Sequence, residues 1–137
     1  MRAWIPRRKA ATALLAGLGV LAAFHLIVML GVLPGTMVWG GRAGGPDGNV
    51  VVMELVGLVL TLIFMLVTAV RSERLRAPGL AGAAAVGAWV VFGFFLLSFV
   101  GNLASTSALE RAIFIPFSAL LALLALRVAL RKREGDE

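Results

Sequence analysis

The chain has 137 residues, 61% of them hydrophobic, with a net charge of +6 and a mean hydropathy of +0.99. That is too apolar for a water-soluble domain, because a short chain has mostly surface and its excess apolar residues would face water. With no cysteine, the sequence also excludes disulfides, thiol redox chemistry, cysteine nucleophiles and thiolate metal sites.

The length suggests one domain, residues 1–137. Four apolar stretches predict an all-α fold, a polytopic membrane protein built as a four-transmembrane-helix bundle. They run over residues 10–33, 50–70, 80–100 and 112–130. Each is long enough to cross about 30 Å of hydrocarbon at about 1.5 Å per residue. Strands of a membrane barrel would be shorter and would alternate polar with apolar residues.

The N-terminal Arg7-Arg8-Lys9 and the apolar run after it have the order of a secretory signal. The run is too long for a signal core and lacks a small-residue cleavage site, so it reads as a retained first span. Pro34-Gly35 is expected to stop this helix, and residues 40–48 form a glycine-rich loop. That loop lacks the Lys-Ser/Thr ending of a phosphate-binding loop and the spacing of a dinucleotide fingerprint. Asn49 is a plausible N-cap for the second helix. Residues 71–76 make a short charged turn closed by Pro78-Gly79, and 102–111 a polar connector. Pro116 is expected in or near the first turn of the fourth span, where proline costs little.

Charge sets the expected orientation. Arg2, Arg7, Arg8 and Lys9 precede the first span, Arg71, Arg74 and Arg76 follow the second, and Arg127, Arg131, Lys132 and Arg133 end the fourth. Eleven of the thirteen cations thus fall on one side, with only Arg42 and Arg111 on the other. The positive-inside rule then predicts a multi-pass protein of the cell inner (cytoplasmic) membrane with both termini in the cytoplasm, N-in and C-in. The same distribution argues against nucleic acid as a partner, since the cations flank spans and no basic patch is interleaved with aromatic residues.

Small residues predict close helix contacts: Gly79, Ala83 and Gly87 on the third span, Ala13 and Gly17 on the first, and Ser118, Ala122, Ala125 and Ala129 on the fourth. Glu54, Thr61 and Thr68 share one face of the second helix at seven-residue spacing, a polar stripe expected to face the bundle interior.

Two ionisable residues fall inside the spans, His25 and Glu54. Placing a charge at the centre of a bilayer costs about 2.5–3.5 kcal/mol on insertion scales, so each requires a reason. His25 is expected about 22 Å along the first helix, in the outer half, and Glu54 roughly one turn below the outer surface. With Trp39, Arg42, Asn102, Glu110 and Arg111 they form the candidate binding cluster at the outer leaflet. Arg42 is expected to fold back onto Glu54, with His25 lining the same cavity. Each residue also has a plain structural role: a packed histidine, a glutamate near a helix N-terminus, an interfacial tryptophan, a loop arginine meeting headgroups.

The sequence from His25 through Leu33-Pro34 to Trp39-Gly40-Gly41-Arg42 and on to Glu54 resembles a pattern in small bacterial four-span membrane proteins of uncharacterised function. The resemblance covers about the first third of the chain, with Trp-Gly-Gly-Arg its most specific part. It implies an integral membrane bundle and carries no activity. The small multidrug transporters are similar in size and span number but carry a working glutamate in the first helix, where this chain has His25.

Three functions remain open. The leading one is a small integral membrane protein acting by binding or assembly, its partners the lipid bilayer and either further copies of itself or a larger membrane complex. The second is an oligomeric small transporter or channel using Glu54 and His25. The third is a membrane enzyme or redox protein binding a lipid, quinone or haem. No catalytic constellation is visible, and neither a cofactor nor a metal site is expected. The chain has a single histidine, and Met29, Met37 and Met53 read as apolar filling rather than soft ligands.

Overall fold

The computed structural model describes residues 5–34, 38 and 49–130, all helix and turn with no strand among them. Four helices follow one another up and down: α1 (Arg7–Met29), α2 (Val50–Arg71), α3 (Ala81–Leu103), entered through a 3-10 turn at Pro78–Leu80, and α4 (Ala108–Ala129). All four are long and apolar enough to cross a membrane. Their outward faces are apolar: on α2 alone Val51, Val52, Leu55, Val56, Val59, Leu62, Ile63 and Leu66 are exposed. A surface of this kind suits hydrocarbon rather than water, and the chain has the architecture of a multi-pass membrane protein.

The helix ends follow local chemistry. α1 stops at Met29, short of Pro34, because Gly31 takes a left-handed conformation (φ 74°). There the Gly31 N–H donates to the Val28 carbonyl at 2.9 Å and the Val32 N–H to the Ile27 carbonyl at 3.2 Å. These two bonds are a Schellman cap, which a glycine at this position permits without a Cβ penalty. Asn49 caps α2 as expected, its side chain accepting from the Val52 N–H at 3.1 Å. At α4 the cap is Ser107, which accepts from the Glu110 N–H at 3.3 Å. α4 therefore begins at Ala108 and takes in much of the polar connector.

That early start corrects the placing of Pro116, which lies in the interior of α4. The proline has no N–H for the Ala112 carbonyl one turn back. Polar side chains gather just beyond the break. Asn102 Nδ2 donates to the Phe114 carbonyl at 3.1 Å, and the Ser118 hydroxyl donates to the same carbonyl at 2.5 Å. Asn102 thereby ties α3 to α4 beside the break.

α1 packs chiefly on α2 and α3 chiefly on α4, so the bundle is two helical hairpins set side by side. One end of it holds the start of α1, the α2–α3 turn and the end of α4; here it is called the basic end. In this half Leu14, Leu18, Val91, Leu121, Leu124 and Val128 form the buried core. The expected small-residue stripe of α4 is buried, with Ala122 and Ala125 in this core. At Gly17 an added Cβ would stand 2.5 Å from Leu121 Cδ2, and at Gly87 3.1 Å from the Val67 methyls. Gly79 and Ala83, however, are exposed. The buried face of α3 is one position over, through Ala84, Ala88, Val91 and Phe95.

The arginines of the basic end do more than rim it. Arg7 donates to the Arg71 carbonyl at the end of α2. Arg71 donates to the Ala129 carbonyl at the end of α4 at 3.1 Å, and Arg127 Nε to the Ile5 carbonyl at 2.8 Å. Arg7 and Arg127 are buried. Guanidinium groups thus satisfy carbonyls that two helix C-termini would leave open, at the negative ends of their dipoles.

Candidate functional site

At the opposite end, called the far end, the two hairpins stand apart around a cavity of about 650 Å³. All four helices contribute to its wall. Phe64 and Phe95 belong both to this wall and to the core of the other half, and so form the cavity floor. Val56 on α2 and Phe94 and Gly101 on α3 line the cavity and are also exposed on the bundle surface. Ala104 and Thr106 of the α3–α4 connection also line it and are exposed, so its accessible wall runs from α2 and α3 to the end of the bundle.

The centre of the site is His25 with Glu54. His25 lies about one turn before the end of α1, and Glu54 about one turn into α2. Antiparallel packing brings them level: His25 Nδ1 and Glu54 Oε2 are 2.5 Å apart in a buried hydrogen bond. Glu54 is fully buried and His25 nearly so. Hydrogen bonding and charge pairing are what make two such groups tolerable away from water.

Gly57 makes this approach possible. A Cβ at Gly57 would overlap the His25 ring, with Nδ1 at 3.0 Å and Nε2 at 2.9 Å. The imidazole thus lies against bare backbone, one turn along the same face from Glu54, and its Nδ1 reaches the carboxylate. Phe24 flanks the ring, its centroid 6.2 Å from that of His25, and stacks edge-on against Phe114 of α4 at 5.1 Å.

A second polar group comes from the α3–α4 connection. Glu110, buried in the first turn of α4, accepts from the Ser105 hydroxyl at 2.5 Å. Asn102 also donates to the Ser118 hydroxyl at 3.2 Å, tying α3 to α4. The polar stripe of α2 faces inward as expected, with Glu54, Thr61 and Thr68 all buried. The hydroxyl of Thr61 donates to the Gly57 carbonyl at 2.8 Å and that of Thr68 to the Phe64 carbonyl at 2.7 Å.

The structure thus gathers His25, Glu54, Asn102 and Glu110 around one cavity. Arg111 is exposed and points elsewhere. Trp39 and Arg42 lie outside the described residues, and the Arg42–Glu54 pairing with them. Among the described residues, no three histidine, aspartate or glutamate side chains converge as a metal set would.

Sequence reasoning missed Gly57 and the local role of Ser107. The signal for Ser107 was present: Ser-x-x-Glu ahead of an apolar run is a capping-box pattern. Gly57 carried a weaker one, a helical glycine three residues after a buried acid. No protein-family model, curated protein or solved structure matches the chain.

Proposed function

We propose that this protein is a membrane-embedded binding protein whose far-end cavity receives a small amphipathic molecule from the bilayer. The carrying observation is the cavity itself. It has the volume of an ordinary small-molecule site, an aromatic floor at Phe64 and Phe95, fixed polar groups at His25, Glu54, Asn102 and Glu110, and exposed wall residues on α2 and α3 through which a membrane-dissolved molecule could enter. A molecule lying in the membrane would enter apolar end inward, and its polar group would meet those side chains.

In this reading the chain sits in the cytoplasmic membrane with both termini inside and the cavity in the outer leaflet, as the charge asymmetry favours. Reporter fusions at residue 137 and in the 71–76 turn should then report the cytoplasm, and a fusion at residue 44 the outside. The chain forms a single membrane domain, and its apolar surface leaves room for further copies or a larger complex beside the cavity.

Native mass spectrometry from mild detergent tests the binding. Wild-type protein should carry a small molecule that Ser98→Trp, which blocks the cavity wall, does not. Equal occupancy in the two proteins, or none in either after mild extraction, contradicts the reading. Flux through liposomes would identify the transporter alternative. The packed core beneath Phe64 and Phe95 favours a receptacle closed towards the basic end.

A further inference from the structure

Most polar side chains on the cavity wall are engaged within the protein. A hydroxyl inside a helix commonly bonds the carbonyl one turn back, and Thr61 and Ser118 do so. Ser105 donates to Glu110, and His25 bonds Glu54. Two groups on α3 are different. Ser98 lines the cavity, yet its hydroxyl makes no hydrogen bond among the described residues. Asn102 lines the cavity one turn further on, and both of its bonds are made by Nδ2. Neither Ser98 Oγ nor Asn102 Oδ1 is among the atoms sealed away without a partner, so both can be reached.

Chemistry fixes how the Asn102 amide is turned. The Phe114 carbonyl can only accept, so Nδ2 faces it and Oδ1 remains as an open acceptor. Residues four apart are neighbours on one helix face, with Cβ atoms about 5–6 Å apart. One oxygen can bridge Ser98 and Asn102 across that gap with two hydrogen bonds. Phe94 lies four residues before Ser98 on the same face and meets Phe64 edge-on at 5.0 Å between centroids. Along this line α3 presents an aromatic ring, then a hydroxyl, then an amide oxygen.

These two open groups select a polar head. A head that only accepts, such as a carboxylate, phosphate, ester or ketone, would set its oxygen against Asn102 Oδ1. An ammonium brings three donors to two open acceptor atoms, and a charge that is costly to take from water. A hydroxyl has one hydrogen and two lone pairs, so it donates to Asn102 Oδ1 and accepts from Ser98 Oγ. Neither Ser98 nor Asn102 titrates, so the match does not depend on a protonation state.

We infer that the occupant is a lipid alcohol, an uncharged amphiphile headed by a hydroxyl, held at Ser98 and Asn102 with its apolar body against Phe94, Phe64 and Phe95. This rests on the binding function proposed above and names its ligand class and the residues that read its head.

Three probes with one isoprenoid chain and different heads provide the test: farnesol, farnesyl methyl ether and farnesylamine. Tritiated probes are bound to the full chain in zwitterionic nanodiscs and read by scintillation proximity, with Ser98→Trp nanodiscs as the background for partition into lipid. Farnesol should bind saturably, and roughly tenfold or more tighter than the ether, which has no hydrogen for Asn102 Oδ1. The amine should bind more weakly than farnesol. Ser98→Ala should weaken farnesol binding by roughly three- to tenfold. It should leave the unfolding midpoint in place, because the hydroxyl it removes holds nothing in the protein. Ether binding as tight as that of farnesol, or amine binding tighter, overturns the hydroxyl assignment while leaving the binding cavity in place. Farnesol binding unchanged in Ser98→Ala overturns the placing of the head. No probe binding above background overturns both the assignment and the binding function.

Discussion

The basic half and the far half of the bundle use the same four helices to opposite ends. In the basic half, small residues let the hairpins close on Leu14, Leu18 and Leu121, and arginines tie helix ends together. In the far half the same helices line a cavity that carries buried polar side chains. Lipid provides no hydrophobic drive for helices to associate, so close packing has to hold such a bundle together. One half supplies that packing, and the other is thereby free to keep a cavity.

The largest expected effect breaks the polar centre of the open half. His25→Leu removes a hydrogen-bond partner of the buried Glu54. It should cost about 3–5 kcal/mol, measured by thermal or SDS unfolding, because a buried charge loses compensation. Replacing both residues by leucine should recover much of that loss. If the double variant is no better than the single one, the two residues do not act as a pair.

Next in size is truncation of the packed core. Leu18→Ala should destabilise by about 2–5 kcal/mol, as a cavity is created where none exists. Leu60→Ala, on the wall of an existing cavity, should cost well under half as much. Similar losses at the two sites would remove the distinction between the halves.

Adding bulk should reverse the pattern. Gly17→Leu drives a side chain into Leu121 and should cost on the order of 1–3 kcal/mol by overpacking. Ser98→Leu in the far half should leave the unfolding midpoint unchanged or raise it. The smallest effect is local to both sides of the cavity. Ser107→Ala and Asn49→Ala each remove an N-cap and should each lower stability by about 1 kcal/mol.

How much of this was legible in the sequence depended on the range of the interaction. α2 was readable at both ends and along its inner face, because Asn49 caps locally and Glu54, Thr61 and Thr68 follow helical period alone. α1 was read too long because Pro34 outweighed Gly31, although a left-handed glycine ends a helix as firmly as a proline does. The α3 stripe was placed one position off, since small residues occupy neighbouring faces and only the partner helix selects between them. His25 and Glu54 were recognisable as out of place in apolar spans, which drew attention to the far end. Their direct contact was not readable, because it depends on Gly57 admitting the imidazole ring, a fact of two helices rather than one. The arginines of the basic end likewise read as a topology signal until packing showed them donating to helix termini.

The central claim is that the far-end cavity is a site for a small molecule, and an experimental density map tests it most directly. The chain should be imaged in a lipid nanodisc with a rigid fiducial, at a resolution that separates side chains. The account predicts continuous non-protein density between α2 and α3, reaching from the Phe64–Phe95 floor to within hydrogen-bond distance of Ser98 or Asn102. A cavity filled by the protein's own 35–48 segment, or by discrete waters alone, would contradict it.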